Sequence, residues 1–138
     1  METGWQTGWC IVSIYSDTVS VDEISRIMQV EPTSTVVKGD LISKSLNSYA
    51  PHNGWFYKKE FNDLKDVDEA MQHVAKVCLE VRDRLNKTKD LDVRLRCFVN
   101  SALAQVGYEF LPETIRLLAA VGKGLEITLF SWGGVEDE

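Results

Sequence analysis

The stretch from Asp66 to Lys87 constrains the fold more than any other. Val67, Ala70, Met71, Val74, Val77, Cys78, Val81 and Leu85 recur at steps of three, four and seven, the period of one helical face. The positions between them, including Asp68, Glu69, Gln72, His73, Lys76, Glu80, Arg82, Asp83, Arg84 and Lys87, are polar and suit a face in water. The spacing predicts one unbroken amphipathic helix, about 33 Å long at 1.5 Å per residue. A rod of that kind cannot stand alone. It needs a second layer against which to bury its stripe, and each large apolar side chain buried there is worth roughly 1.5 to 3 kcal/mol.

Strand patterns supply that layer. Gly8 to Ser16 is rich in Ile, Val, Tyr and Trp, with Cys10, Val12 and Ile14 on one side and Trp9, Ile11, Ser13 and Tyr15 on the other. Ser20 to Glu23 has the form of a capping box, a hydroxyl followed three residues later by a carboxylate, and predicts a helix that stops near Glu31, ahead of Pro32. Thr33 to Val37 reads as a short strand ending in a turn at Lys38, Gly39 and Asp40, and Ser43 to Gly54 as a loop. Trp55 to Phe61 and Leu91 to Asn100 alternate as strands. Ser101 to Phe110 fits no period, Pro112 to Val121 reads as a helix ended by Gly122, and Leu125 to Trp132 as a last strand. The order predicts an α+β fold: a ferredoxin-like split βαββαβ with an added αβ, its mainly antiparallel five-stranded sheet packed on helices.

A chain of 138 residues with 44% hydrophobic and 26% charged residues suits a single domain over 1-138 that buries its own core, with an acidic C-terminal tail at about 133-138. There is no apolar run long enough to cross a bilayer and no basic, apolar leader, so the expected location is cytoplasmic, with no membrane partner. Cys10, Cys78 and Cys97 are odd in number, far apart and on apolar faces, which predicts buried thiols and excludes a C-x-x-C metal or disulfide framework. The net charge of −6 argues against a nucleic-acid backbone as the main partner and makes a basic protein electrostatically easier.

Reaction motifs are absent. The chain has no G-x-S-x-G, no H-E-x-x-H and no phosphate loop, and with only His52 and His73 it has little for histidine catalysis, so neither an enzyme nor a cofactor is expected. Asp66, Asp68 and Glu69 sit at a helix start, where they complement the dipole. His73 reads as a solvated residue of the polar helix face. One unusual feature is the sheet side opposite Cys10, Val93, Leu95, Ile127 and Leu129. It would present Trp9, Tyr15, Arg94, Arg96, Phe98, Phe130 and Trp132, the aromatic and arginine composition of a protein interface or of a stacking platform for single-stranded RNA. Either this face is open, or the 112-121 helix or the 101-110 segment covers it. A second candidate, for a small molecule, is the 38-57 region with Lys38, Asp40, His52 and Trp55.

The succession Asp22-Glu23-Ile24, Val30-Glu31-Pro32-Thr33, Lys38-Gly39-Asp40, Gly54-Trp55, Leu111-Pro112-Glu113 with Leu118 and Gly122, and Leu125-Glu126-Ile127 resembles the bacterial family catalogued as domain of unknown function 4279. The likeness runs from about Trp9 to Trp132, and the 101-110 segment lacks the glycine-rich run of that family. It implies bacterial origin and a fold, and it carries no catalytic residues. The expectation is a non-enzymatic protein-binding domain, in its sharpest form an immunity protein that neutralises a cognate toxin such as a basic nuclease. The alternatives are a small-molecule-binding or enzymatic domain built on 38-57, and RNA binding on the aromatic face.

Overall fold

A computed structural model describes residues 6–103 and 106–131. In chain order it contains β1 (Gln6–Ser16), α1 (Val21–Met28), β2 (Ser34–Val36), β3 (Leu41–Ser43), β4 (Ser48–Tyr49), β5 (Asn53–Phe61), α2 (Val67–Glu80), α3 (Arg82–Lys87), β6 (Asp92–Ser101), α4 (Pro112–Val121) and β7 (Leu125–Ser131). The main sheet has the order β2-β5-β1-β6-β7. Its first three junctions are antiparallel, and β6 runs parallel to β7, as the intervening α4 crossover requires. This is the α+β, mainly antiparallel five-stranded architecture expected from the periodicities.

The core lies between the sheet and the helices. Cys10, Val12 and Ile14 of β1, Trp55 and Phe61 of β5, and Val93, Leu95, Cys97 and Val99 of β6 meet Ile24, Ile27 and Met28 of α1 and the stripe of α2. The stripe itself is as the spacing predicted: Val67, Ala70, Met71, Val74, Cys78, Val81 and Leu85 are all buried. All three cysteines are buried free thiols. Cys10 and Cys97 face each other across β1 and β6, and that sulfur contact, with burial, pushes the Cys10 thiol up. Burial raises Cys78 to about 12.

The helix is not unbroken. At Val81 the backbone leaves helical geometry (φ −118°, ψ 19°), and its N–H reaches back three residues to the Cys78 carbonyl at 3.2 Å. Tightening this turn re-aims the following segment so that Leu85 stays buried and α3 comes up against α1. A straight continuation would follow the 3.6-residue period, and its stripe would drift off the core.

Two further expectations need correction. The segment read as a loop over 43–54 instead holds the turn and the second strand of a two-stranded ribbon that begins at Leu41, β3 paired with β4 and turned at Asn47 with φ 51°. Asparagine tolerates that left-handed conformation through its short polar side chain, so the hairpin closes without glycine. Ile127 and Leu129 do lie on the helix side of the sheet, opposite Cys97 and Val99, yet they are 45% and 49% exposed. The reason is the seat of α4. Its polar anchors run to α2 and to the start of α3: Gln72 Nε2 donates to Thr114 Oγ1 at 2.8 Å, the Leu111 N–H donates to Asp68 Oδ1 at 2.8 Å, and Arg82 Nη1 donates to the Ala120 carbonyl at 3.0 Å. The helix is thereby held over α2 and leaves β7 partly bare.

Candidate partner-binding face

The two-residue period of the strands puts Trp9, Ile11, Ser13 and Tyr15 of β1 beside Phe56, Lys58 and Glu60 of β5, Asp92, Arg94, Arg96 and Phe98 of β6, and Glu126, Thr128 and Phe130 of β7, all on the side away from the helices. Neither candidate cover lies there. Val106, Tyr108 and Phe110 pack on the core, with Tyr108 reaching Cys97 on the helix side, and α4 lies on α2. Among the described residues the face is therefore open, with Phe130 47% exposed. Trp132, the last of the predicted set, lies outside the described residues, as does the acidic tail.

The side chains of this face are organised by one another. The Trp9 and Phe98 rings lie 5.4 Å apart, and Lys58 Nζ sits 4.8 Å from the Trp9 centroid. Tyr15 meets the Phe56 ring edge-on at 5.7 Å and has Arg94 and Arg96 at 5.9 and 5.7 Å from its centroid. Arg96 Nη1 donates to the Tyr15 hydroxyl at 3.2 Å, and its Nε lies 3.0 Å from Glu126 Oε1. Arg94 pairs with Asp92 at 2.8 Å, and Lys58 with Glu60 at 3.3 Å. Among the described residues each of Lys58, Arg94 and Arg96 has its own anion on the face, so this part of it is electrically balanced. Four acidic residues outside the described ones, Glu2, Glu136, Asp137 and Glu138, account for most of the net charge of −6.

Phe56, Lys58 and the three anions were not among the predicted site residues. The alternation of Trp55 and Tyr57 with Phe56 and Lys58 carried the signal, since the helix side of β5 fixes its other side.

The second predicted set does not assemble. Trp55 is fully buried on the helix side, where its Nε1 donates to Ser25 Oγ at 2.9 Å. Asp40 is occupied by the turn it was expected to form: its Oδ2 accepts the Val37 N–H at 3.0 Å, next to Gly39 with φ 94°. Lys38 and His52 do come together, on Asp17. His52 Nδ1 is 2.6 Å and Lys38 Nζ 3.8 Å from the same oxygen, Asp17 Oδ1. His52 and Asp17 line a cavity of about 390 Å³ together with Tyr15, Asp90, Arg94 and Arg96, at the end of the open face. His73 is exposed as expected, though its ring stacks on Tyr57 at 5.8 Å and its Nε2 lies 2.8 Å from the Tyr57 hydroxyl.

Asp90 builds the floor of this corner. Its Oδ2 accepts from the Ser16 hydroxyl, the Asp17 and Thr18 N–H groups and the Thr18 hydroxyl, the last at 2.6 Å. Those donors, Thr18 first, hold its carboxyl below the usual carboxylate value. A lowered folded pKa means that the stabilisation is present above the unfolded pKa and is lost as pH falls through the folded one. Asp90→Asn tolerates the local φ of 64° and removes the charge. The stability gap between the two proteins, read from urea midpoints, should be widest near neutral pH and close on acidification. A gap independent of pH would refute this role.

The fold and the face define an α+β domain with one face of its sheet uncovered among the described residues, where no group of three metal-ligating side chains is found either. The chain belongs to the family described as Domain of unknown function (DUF4279), whose model matches residues 6–132. No curated protein and no solved structure matches it.

Proposed function

We propose that this chain is a non-enzymatic protein-binding domain of the immunity type, which holds a cognate bacterial toxin in the cytoplasm on its open sheet face. The observation that carries the reading is that aromatic and arginine side chains stay half-exposed on a face that the domain's own helices leave uncovered. Tyr, Trp, Phe and Arg are the residues enriched where proteins meet, and here they are held in place before binding, which lowers the ordering cost. The order β2-β5-β1-β6, antiparallel throughout and crossed by α1 and α2, supports reading this part as the ferredoxin-like split, a frame that leaves one sheet face available.

The experiment is capture of the product of the neighbouring gene, followed by rescue of cells that express it. Phe98→Asp with Phe130→Asp is expected to abolish rescue and weaken binding at least 100-fold while the circular dichroism spectrum stays native. Because the face is balanced in charge, affinity should change little between low and moderate salt. A steep fall with salt would favour RNA instead. A harmless neighbour, or full rescue by the double variant, would overturn the proposal.

A further inference from the structure

β7 ends the sheet, and nothing in it discourages a further strand. Natural edge strands are kept short or guarded by lysine, proline or a bulge. The opposite edge follows this rule: β2 has three residues, two of them exposed and polar. β7 has seven residues, pairs with β6 without a break in register, contains neither lysine nor proline, and keeps its one charged residue, Glu126, on Arg96 of the adjacent strand. It also exposes apolar side chains on both faces, Ile127 and Leu129 towards the helix side and Phe130 towards the open side.

We propose that β7 is a dimerisation edge that pairs antiparallel with β7 of a second copy of this chain, about a twofold axis at Thr128. The strand is complementary to itself in that register. Thr128 meets Thr128, Ile127 meets Leu129 twice, and each Glu126 meets Phe130 of the other copy, so no like charges stand opposite one another. The four aliphatic side chains then close over each other on the helix side, which removes from water the two residues that α4 leaves bare. A two-residue period places the same faces on the same side in both copies. The two five-stranded sheets become one, and their open faces join into a single surface. This pairing goes beyond the proposed function and does not depend on it.

Sedimentation of the full chain between 1 and 100 μM tests the inference. A species of twice the 15.6 kDa chain mass is expected, and Ile127→Lys with Leu129→Lys should return it to the single mass. Thr128→Cys tests the register without disturbing the apolar contacts. Directly opposed residues of an antiparallel pair lie about 4.5 to 5.5 Å apart between Cα atoms, within disulfide reach. With oxidised glutathione as the acceptor of the two electrons and protons, this variant should form a covalent dimer. Glu126→Cys should not, because its copies would lie four residues, roughly 14 Å, apart along the strands at about 3.4 Å per residue. The three natural thiols are buried and give little background. A single-mass chain throughout the concentration range, a dimer that survives the double lysine variant, or a Thr128→Cys protein that stays uncrosslinked would each overturn the proposal.

Discussion

Trp55→Ala is expected to cost about 3–5 kcal/mol, the range for emptying a fully buried large aromatic position. Domains of this size are usually stable by only about 5–15 kcal/mol, so the variant should unfold at a markedly lower urea concentration and populate unfolded chains at 37 °C. Three contacts are lost together. The indole fills the space between β5 and α1, it stacks on Tyr57 at 6.4 Å, and its N–H satisfies Ser25 Oγ at 2.9 Å. Trp55→Phe separates them: most of the packing survives and the Ser25 hydroxyl loses its donor, for a cost of about 1–2 kcal/mol. Equilibrium urea unfolding of the three proteins reads both numbers. The same pair bears on function. A ligand-binding tryptophan would give variants of native stability with weakened affinity, whereas a core tryptophan gives variants whose stability falls first. Trp55→Ala at the stability of the parent would refute the packing assignment.

The misreading of Trp55 as a candidate ligand residue shows where periodicity stops being informative. Glycine, histidine and asparagine before it mark a loop, and they correctly announce that the chain is exposed at His52. They cannot show that β5 begins at Asn53, two residues earlier than the aromatic run suggests, and that its first large side chain already faces the helices. The buried stripe of α2 and the alternation of β6 were legible because each is long enough for its period to repeat several times. The open face followed from the same alternation. Its ion pairs did not, because Arg96 with Glu126 joins strands 30 positions apart, and only the register of β6 on β7 brings them together. The break at Val81 was hidden for a related reason. Cys78, Val81 and Leu85 satisfy a continuous helix on paper, and the departure from it is decided by the position of α1, which a pattern within one segment does not encode.

Gly8→Ala is expected to destabilise the protein by about 3 kcal/mol, a sign opposite to the usual one. Alanine in place of a strand glycine ordinarily gains roughly 0.5–1 kcal/mol from the lower entropy of the unfolded chain. At Gly8 a Cβ atom would stand 1.9 Å from the Phe98 carbonyl oxygen, 2.9 Å from its carbonyl carbon and 3.0 Å from the Phe61 ring. The first two are backbone atoms of the neighbouring strand and cannot rotate aside as a side chain would. β1 lies in the middle of the sheet between β5 and β6, so moving it away from Phe98 drives it towards Phe61. Ladder hydrogen bonds on one side must therefore lengthen, and overpacking of this kind reaches the upper end of its 1–3 kcal/mol range. Gly124→Ala is the control: a Cβ there meets nothing within 4 Å, and the change should stay within about 0.5 kcal/mol. The strain also reaches the open face proposed to bind the partner, because Trp9 and Phe98 are the residues next to the clash and their ring centroids lie 5.4 Å apart. Gly8→Ala should therefore weaken partner capture at temperatures where the protein is still folded, whereas Gly124→Ala should leave it unchanged. Equal urea midpoints for the two alanine variants would show that β1 and β6 are not as close at this point as the structure places them.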